Sequence, residues 1–161
     1  MPFLRGGTYY GKGSTQKHSD FKAVLCQRVY TTFKLRDPSH WWLDISCGGG
    51  NRQMVAGFCG LSALGLDLRL ACVTECEAIA QRLNLSDKAK FATGDMRDVP
   101  ATVERFRGAH PRGSEIQFGG MFTSIPFWRL ETYDTEKTIG GSELQYKCQL
   151  FSISPLKMQE E

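Results

Sequence analysis

Six consecutive residues, Thr123-Ser124-Ile125-Pro126-Phe127-Trp128, put a hydroxyl, a proline and two aromatic rings at the end of an apolar run that reads as a strand from Ile116 to Thr123. Proline locks φ and has no N–H, so the chain must leave a sheet here with its carbonyls unpaired and pointing into the space beyond the strand. An open pair of hydrogen-bond acceptors beside a stacking ring results. Other chemistry-bearing residues recur at strand-sized intervals: Asp44 ahead of Ser46-Cys47-Gly48-Gly49-Gly50, then Asp67-Leu68, then Gly94-Asp95-Met96. Glycines let a backbone approach a ligand closely, and a helix that starts just after them offers unpaired N–H groups. Asp67 follows the glycines at about the twenty-residue interval at which dinucleotide folds accept both hydroxyls of a ribose. Asp95 suits an adenine amine. Together these residues point to a nucleoside-bearing cofactor.

The elements that must position them alternate in type. Residues 1–20 are rich in Gly, Ser, Thr, Lys and Tyr without a sustained period and read as a flexible arm. The stretch Phe21 to Phe33 predicts an amphipathic helix with Phe21, Val24, Leu25, Val29 and Phe33 on one stripe and Ser19 or Asp20 as N-cap. Trp41 to Ile45 is a short apolar run suited to a buried strand. Arg52 to Cys59 predicts a short helix with Met54, Val55 and Phe58 turned inward and Gly57 or Gly60 near its end. Leu61 to Leu66 is a second strand ending at Asp67, and Leu70 to Leu83 a second helix on this side, with Val73, Cys76, Ala80 and Leu83 on one face. Lys90 to Thr93 is a third strand, residues 97–114 hold a helix and loop, and the fourth strand delivers Ser124. Strands alternating with helices at these spacings argue for an α/β fold: a mostly parallel, helix-covered sheet in which residues 21–161 form one domain. In such sheets ligands bind beyond the carboxyl ends of the strands, which is where all four groups of residues fall.

The pattern separates one cofactor from another. A dinucleotide fold wants GxGxxG, whereas Gly48-Gly49-Gly50-Asn51-Arg52-Gln53 has no glycine at the last position. Asp44 at the strand end would repel a pyrophosphate by simple Coulomb reasoning. Beside the ammonium and sulfonium of S-adenosylmethionine (SAM) it would be welcome.

In order, LDISCGGG (43–50), GLDLR (65–69), TGDM (93–96) and FTSIPFW (122–128) resemble the cofactor and catalytic motifs of Rossmann-like, class I SAM-dependent methyltransferases that modify exocyclic amines of nucleic-acid bases. Residues 43–133 carry the likeness. It is strongest to phage and bacterial DNA N6-adenine or N4-cytosine methyltransferases, where a segment like LDPFAGGG is followed by a GIDLR-like strand end and by FTSPPYWxLExY; here Leu130, Glu131 and Tyr133 extend the match. The resemblance assigns Asp44, Ser46, Gly48 and Gly50 to the methionyl part of SAM, Asp67 with Leu68 to its ribose, and Asp95 with Met96 to its adenine. It makes Ser124, Ile125, Pro126 and Phe127 the catalytic tetrapeptide, and likens the helix from Phe21 to an N-terminal segment closing over the cofactor. The implied activity is methylation of adenine N6 or cytosine N4 in DNA, with the target base flipped into the pocket. Ile125 stands where the DNA enzymes usually have Pro and resembles the rRNA adenine enzymes, so RNA adenine remains an alternative acceptor, as do a protein and an inactive SAM-fold remnant.

Composition bounds the rest. With 161 residues, 41% hydrophobic and 23% charged, the chain predicts one soluble domain, and a net charge of +3 permits an anionic partner without demanding one. Six cysteines without a CxxC pair, and an N-terminus MPFLRGGTYYGKG without an apolar leader, predict reduced thiols and a cytoplasmic protein. Cys72 and Cys76 share a helical face but have no further ligand nearby, which argues for packing rather than metal. No run approaches the eighteen or so apolar residues of a membrane span. Arg97, Arg105, Arg107, Arg112 and Arg129 read as a solvated face, with phosphate contact as the alternative. After Ser124, 37 residues remain, enough for a helix over Glu143 to Gln149 and a strand over Phe151 to Ser154. The expectation is a sheet incomplete on its C-terminal side, whose fourth strand is an edge that a second copy or another chain would cover.

Overall fold

Trp41–Asp44 (β1), Ala63–Asp67 (β2), Ala89–Thr93 (β3) and Phe118–Met121 (β4) are the strands of the computed structural model, which describes residues 22–124. The helices are Ala23–Thr32 (α1), Asn51–Phe58 (α2), Leu70–Arg82 (α3) and Val99–Ala109 (α4), with a 3-10 turn at Gly113–Glu115. All pairings are parallel and the strand order is β3-β2-β1-β4. The α/β, Rossmann-like expectation holds for this part of the chain. The expected helix at Glu143 to Gln149, the strand at Phe151 to Ser154 and the arm at 1–20 lie outside the described residues.

Strand alternation divides the core. Leu64 and Leu66 of β2 are fully buried and join Trp41, Ile45, Met96, Val103 and Ile116 beneath α4. Trp42 and Ala63 point the other way, onto Cys26 and Tyr30 of α1 and Val55 and Ala56 of α2, while Ala89 and Phe91 of β3 meet Val73, Cys76, Ile79 and Ala80 of α3. Helices therefore cover both faces. Each buried leucine contributes about 1.5–3 kcal/mol, which anchors a central strand written ALGLD that is also bonded to β1 and β3. Two helices stop for visible reasons. Gly60 (φ +78°) after α2 and Asn84 (φ +57°) after α3 take the left-handed turn, and Leu61 and Leu85 donate N–H back to Ala56 and Ala80 at 2.9 and 2.8 Å.

Two expectations need correction. The inward stripe of α1 is Cys26 and Tyr30, and Val24, Leu25 and Phe33 are 41, 47 and 65% exposed. A tyrosine and a cysteine outcompete the aliphatics because Tyr30 packs edge-on against Trp42 and its hydroxyl donates to the Arg52 carbonyl at 3.2 Å. The N-cap is Lys22, with no side-chain cap bond, rather than Ser19 or Asp20. The fourth strand is also shorter than expected. Between Trp41↔Phe118 and Trp42↔Gly120 the register slips by one residue at Gly119, and side chains at Gly119 and Gly120 would meet His40 Cβ at 2.9 Å and Leu35 Cδ2 at 2.8 Å. Beyond Met121 one more ladder bond persists, from Phe122 N–H to the Leu43 carbonyl at 2.9 Å.

No helix among the described residues is long and apolar enough to cross a membrane.

Candidate active site

The chain builds β1, β2 and β3 outward in one direction and then returns to lay β4 on the far side of β1, so strand order reverses between β1 and β4. A crevice opens beyond carboxyl ends at such a point. Ile45 to Gly50 leaves β1 there, and Phe122 to Ser124 leaves β4 there.

Asp44, the last residue of β1, is buried at this point. Its carboxylate is 2% exposed and accepts Arg52 Nε–H at 2.6 Å, Gln53 Nε2–H at 3.0 Å and the Ser46 N–H at 3.1 Å. Burial alone would lower the Arg52 pKa, but the adjacent Asp44 carboxylate outweighs it and leaves the guanidinium more firmly protonated than usual. Arg52 Nη2 also donates to the Ser46 carbonyl at 2.7 Å, which clamps the start of the turn from below. In this structure the Asp44 charge, expected to face a cationic cofactor, is met by Arg52. Neither Arg52 nor Gln53 was legible as a site residue, although a cation eight residues after the acid, on the helix the glycines open, was the signal available.

The turn itself is built by two glycines with different jobs. Gly50 (φ +72°) could not carry a side chain, since a Cβ there would sit 2.8 Å from the Phe91 ring and 2.9 Å from Cys76 Sγ. Gly48 (φ +51°) has nothing within 4 Å of where its Cβ would be. One glycine is closed by packing, and the other opens onto free space. Cys76 Sγ donates to the Gly48 carbonyl at 3.4 Å from beneath, and burial, with Cys76 close by, pushes the Cys47 thiol well up.

Asp67 stands at the end of β2 beside this turn, accepting the Gly48 N–H on Oδ2 at 3.2 Å and the Arg69 N–H on Oδ1 at 2.9 Å. The sequence-assigned ribose and methionyl groups are therefore neighbours. Leu68 follows in a half-buried bend. Asp95 lies at the end of β3, where hydrogen bonds from Arg97 hold its carboxyl below the usual carboxylate range. Met96 points its side chain into the core under α4, so only its backbone remains for a ligand. Ser124 is the last described residue, and Ile125, Pro126 and Phe127 lie outside the described residues, as do Trp128, Arg129, Leu130, Glu131 and Tyr133. Just before Ser124, the Thr123 hydroxyl is buried without a hydrogen-bond partner, and Phe122 packs on Tyr30 at 5.5 Å with the Arg52 guanidinium 5.9 Å from its ring.

No protein-family model matches this chain, and no curated protein does. Solved structures do. They include a geranyl diphosphate C-methyltransferase from Streptomyces coelicolor with S-adenosyl-L-homocysteine (20% identity, 49% of this chain and 30% of that one, TM-score 0.44). An RNA methyltransferase from Salinibacter ruber with the same ligand matches at 15% identity over 56% of this chain and 67% of that one, TM-score 0.45. YjhP from E. coli matches at 18% over 73% and 54%, TM-score 0.45. The chain spans about a third of the length of the geranyl diphosphate methyltransferases it matches. At these identities and scores the likeness says nothing about substrate, which the side chains at the strand ends must decide.

The arginines read as a solvated face are mostly paired: Arg97 with Asp95, Arg107 with Glu104 at 2.6 Å and Arg112 with Glu115 at 2.5 Å, while Arg105 donates to the Thr102 hydroxyl at 3.1 Å. Among the described residues there is no cluster of three or more His, Cys, Asp or Glu able to hold a metal ion.

Proposed function

We propose that this chain is a SAM-dependent methyltransferase acting on an exocyclic amine of a nucleic-acid base, adenine N6 or cytosine N4 in DNA. The observation that carries the reading is the contact between Asp67 and the glycine turn: a carboxylate that also accepts the Arg69 N–H and Nε–H sits beside a glycine that opens onto free space, next to the strand exit that leads into Ser124. That cradle suits a nucleoside whose ribose hydroxyls reach Asp67 and whose amino-acid tail lies along Gly48. With Asp44 spent on Arg52, the tail would be held by turn backbone rather than by that carboxylate.

When bound, SAM supplies a methyl group activated by its sulfonium. The chain's own part is orientation. An exocyclic amine is a poor nucleophile because its lone pair is delocalised into the ring, and the site must localise it. Were its two N–H bonds donated to the Ser124 hydroxyl and the Ile125 carbonyl, the nitrogen would be held near tetrahedral with its lone pair free for attack. The role the motif gives Phe127 is to stack on the base, which would offset part of the few kcal/mol needed to take it out of a duplex.

Tritiated-methyl transfer from SAM to unmethylated DNA, followed by nucleoside analysis, tests the reading and separates N6-methyladenine from N4-methylcytosine. Label in RNA but not DNA would favour the RNA acceptor that Ile125 suggests. Binding of S-adenosylhomocysteine with no transfer to either would leave an inactive remnant, and no binding would overturn the proposal.

A further inference from the structure

Of the basic residues in the described chain, one group stands apart because it lies in a stretch with no acid of its own. Lys22, Arg28, Lys34 and Arg36 are exposed and have no ion-pair partner among the described residues, and residues 22–36 contain no acid at all. Net charge is +3 for the whole chain against +4 for this stretch, which leaves −1 for everything else. The next acid, Asp37, is engaged within its own turn: its Oδ1 accepts the Ser39 N–H at 2.8 Å and hydroxyl at 2.7 Å, and its Oδ2 lies 3.7 Å from His40. The basic charge of this protein is therefore concentrated on the outside of α1 and the turn after it.

That surface adjoins the candidate site. Tyr30 on the inner side of α1 touches Phe122, two residues before Ser124, and Leu35, between Lys34 and Arg36, lies against Gly120 of β4. We propose that α1 and the turn after it form a docking surface for duplex DNA, in which Lys22, Arg28, Lys34 and Arg36 contact backbone phosphates. This inference rests on the nucleic-acid reading of the site and names the surface that would hold the duplex while a base enters. A rise of about 1.5 Å per residue sets Lys22 and Arg28 about 9 Å apart along the helix, so their side chains reach separate phosphates. The exposed ring of Phe33 lies between Arg28 and Lys34 in sequence and is free to pack on a sugar.

An anionic membrane is the competing occupant, because α1 also exposes Val24 and Leu25. Interfacial helices insert a continuous apolar face, and in α1 that face, Cys26 and Tyr30, is spent on the core. Charge without an insertable stripe favours a polyanion.

The test is fluorescence anisotropy of the full chain on a short unmethylated duplex across a salt series, alongside calorimetry with S-adenosylhomocysteine. The slope of log affinity against log salt should fall by about 0.9 per cation removed, so R28Q/K34Q/R36Q should lose about 2.7 of slope and, at physiological salt, on the order of tenfold or more in affinity. R112Q, whose cation Glu115 already holds, should change neither. Cofactor affinity should be the same in all variants, which separates loss of the surface from loss of the methyltransferase reading. An unchanged slope in the triple variant, or no DNA binding by the parent chain, overturns the surface whatever the calorimetry gives. Binding to phosphatidylserine vesicles that the triple variant loses while keeping DNA assigns the face to membranes and equally overturns it.

Discussion

Arg52 decides the shape of the glycine turn from underneath. It is 4% exposed, shares Asp44 with Gln53 and holds the Ser46 carbonyl, so its removal strands a carboxylate that is 2% exposed. Breaking one side of a buried pair costs about 3–5 kcal/mol, whereas replacing both sides with apolar groups of similar volume is often near neutral. Urea denaturation should accordingly show R52M losing about that much stability and D44L/R52M recovering most of it. A double variant as unstable as the single one would mean that the pair's geometry, rather than its charge, holds the turn. The two glycines separate in the same way. G50A meets the Phe91 ring and Cys76 as well as an unfavourable φ and should cost about 2–4 kcal/mol, while G48A has only its φ to accommodate and should cost about 1 kcal/mol. If the cradle holds SAM, calorimetry with S-adenosylhomocysteine should reverse the ranking per unit of lost stability, since the added methyl in G48A fills the space a ligand would use. D67A should weaken the same binding at least tenfold and S124A should leave it unchanged; equal affinity in D67A would remove the ribose assignment.

At the scale of elements, α1 and α3 are held by thiols that behave as small hydrophobes. Burial pushes the Cys26 and Cys72 thiols up to about 12, against 9.0 for an ordinary thiol. A raised folded-state pKa means that the protonated form is favoured by folding. The stability these residues contribute is therefore complete below about pH 9 and is lost as pH rises from about 9 toward 12. Urea midpoints should be level up to pH 8.5 and fall above 9.5, and C26A should flatten that fall; a fall of the same size in C26A would sink the assignment to Cys26. These packing roles show which elements were legible beforehand. Helices α2 and α3 and strands β1 to β3 were readable because glycines or acids punctuate them and their apolar residues have one period. The inner face of α1 was not, because its anchors are a cysteine and a tyrosine whose burial depends on Trp42 and on the Arg52 carbonyl, both distant in sequence. The true length of β4 was hidden too, since Gly119 and Gly120 are set by His40, Leu35 and Trp42 rather than by neighbours along the strand. At the site, the spacing of glycines and acids announced that the glycine turn and Asp67 would lie together at the strand ends. That Asp44 would be consumed by Arg52 depends on a turn bringing residues eight apart into contact, which no periodicity encodes.

For the molecule as a whole, the sequence pattern required a parallel sheet but left the strand order open, and the order is what creates a crevice. Placing β4 beside β1 brings two chain exits to one point, at a price in stability, because β4 is bonded on one side among the described residues and contains two glycines. β2 is bonded on both sides and buried on both faces. Local opening follows that asymmetry, so amide hydrogen exchange should be slowest in Ala63–Asp67 and fastest among the strands in Phe118–Met121. A ligand that binds only the folded cradle suppresses opening of the segments it touches. Adding S-adenosylhomocysteine should therefore slow exchange at residues 46–50 and 67–69, which meet through the Gly48 N–H and the Asp67 carboxylate, and leave the α1 surface as it was; adding duplex DNA should do the opposite, protecting residues 22–36. Cofactor protection that appeared on α1 and spared the glycine turn would mean that the carboxyl ends of β1 and β2 are not where the nucleoside binds.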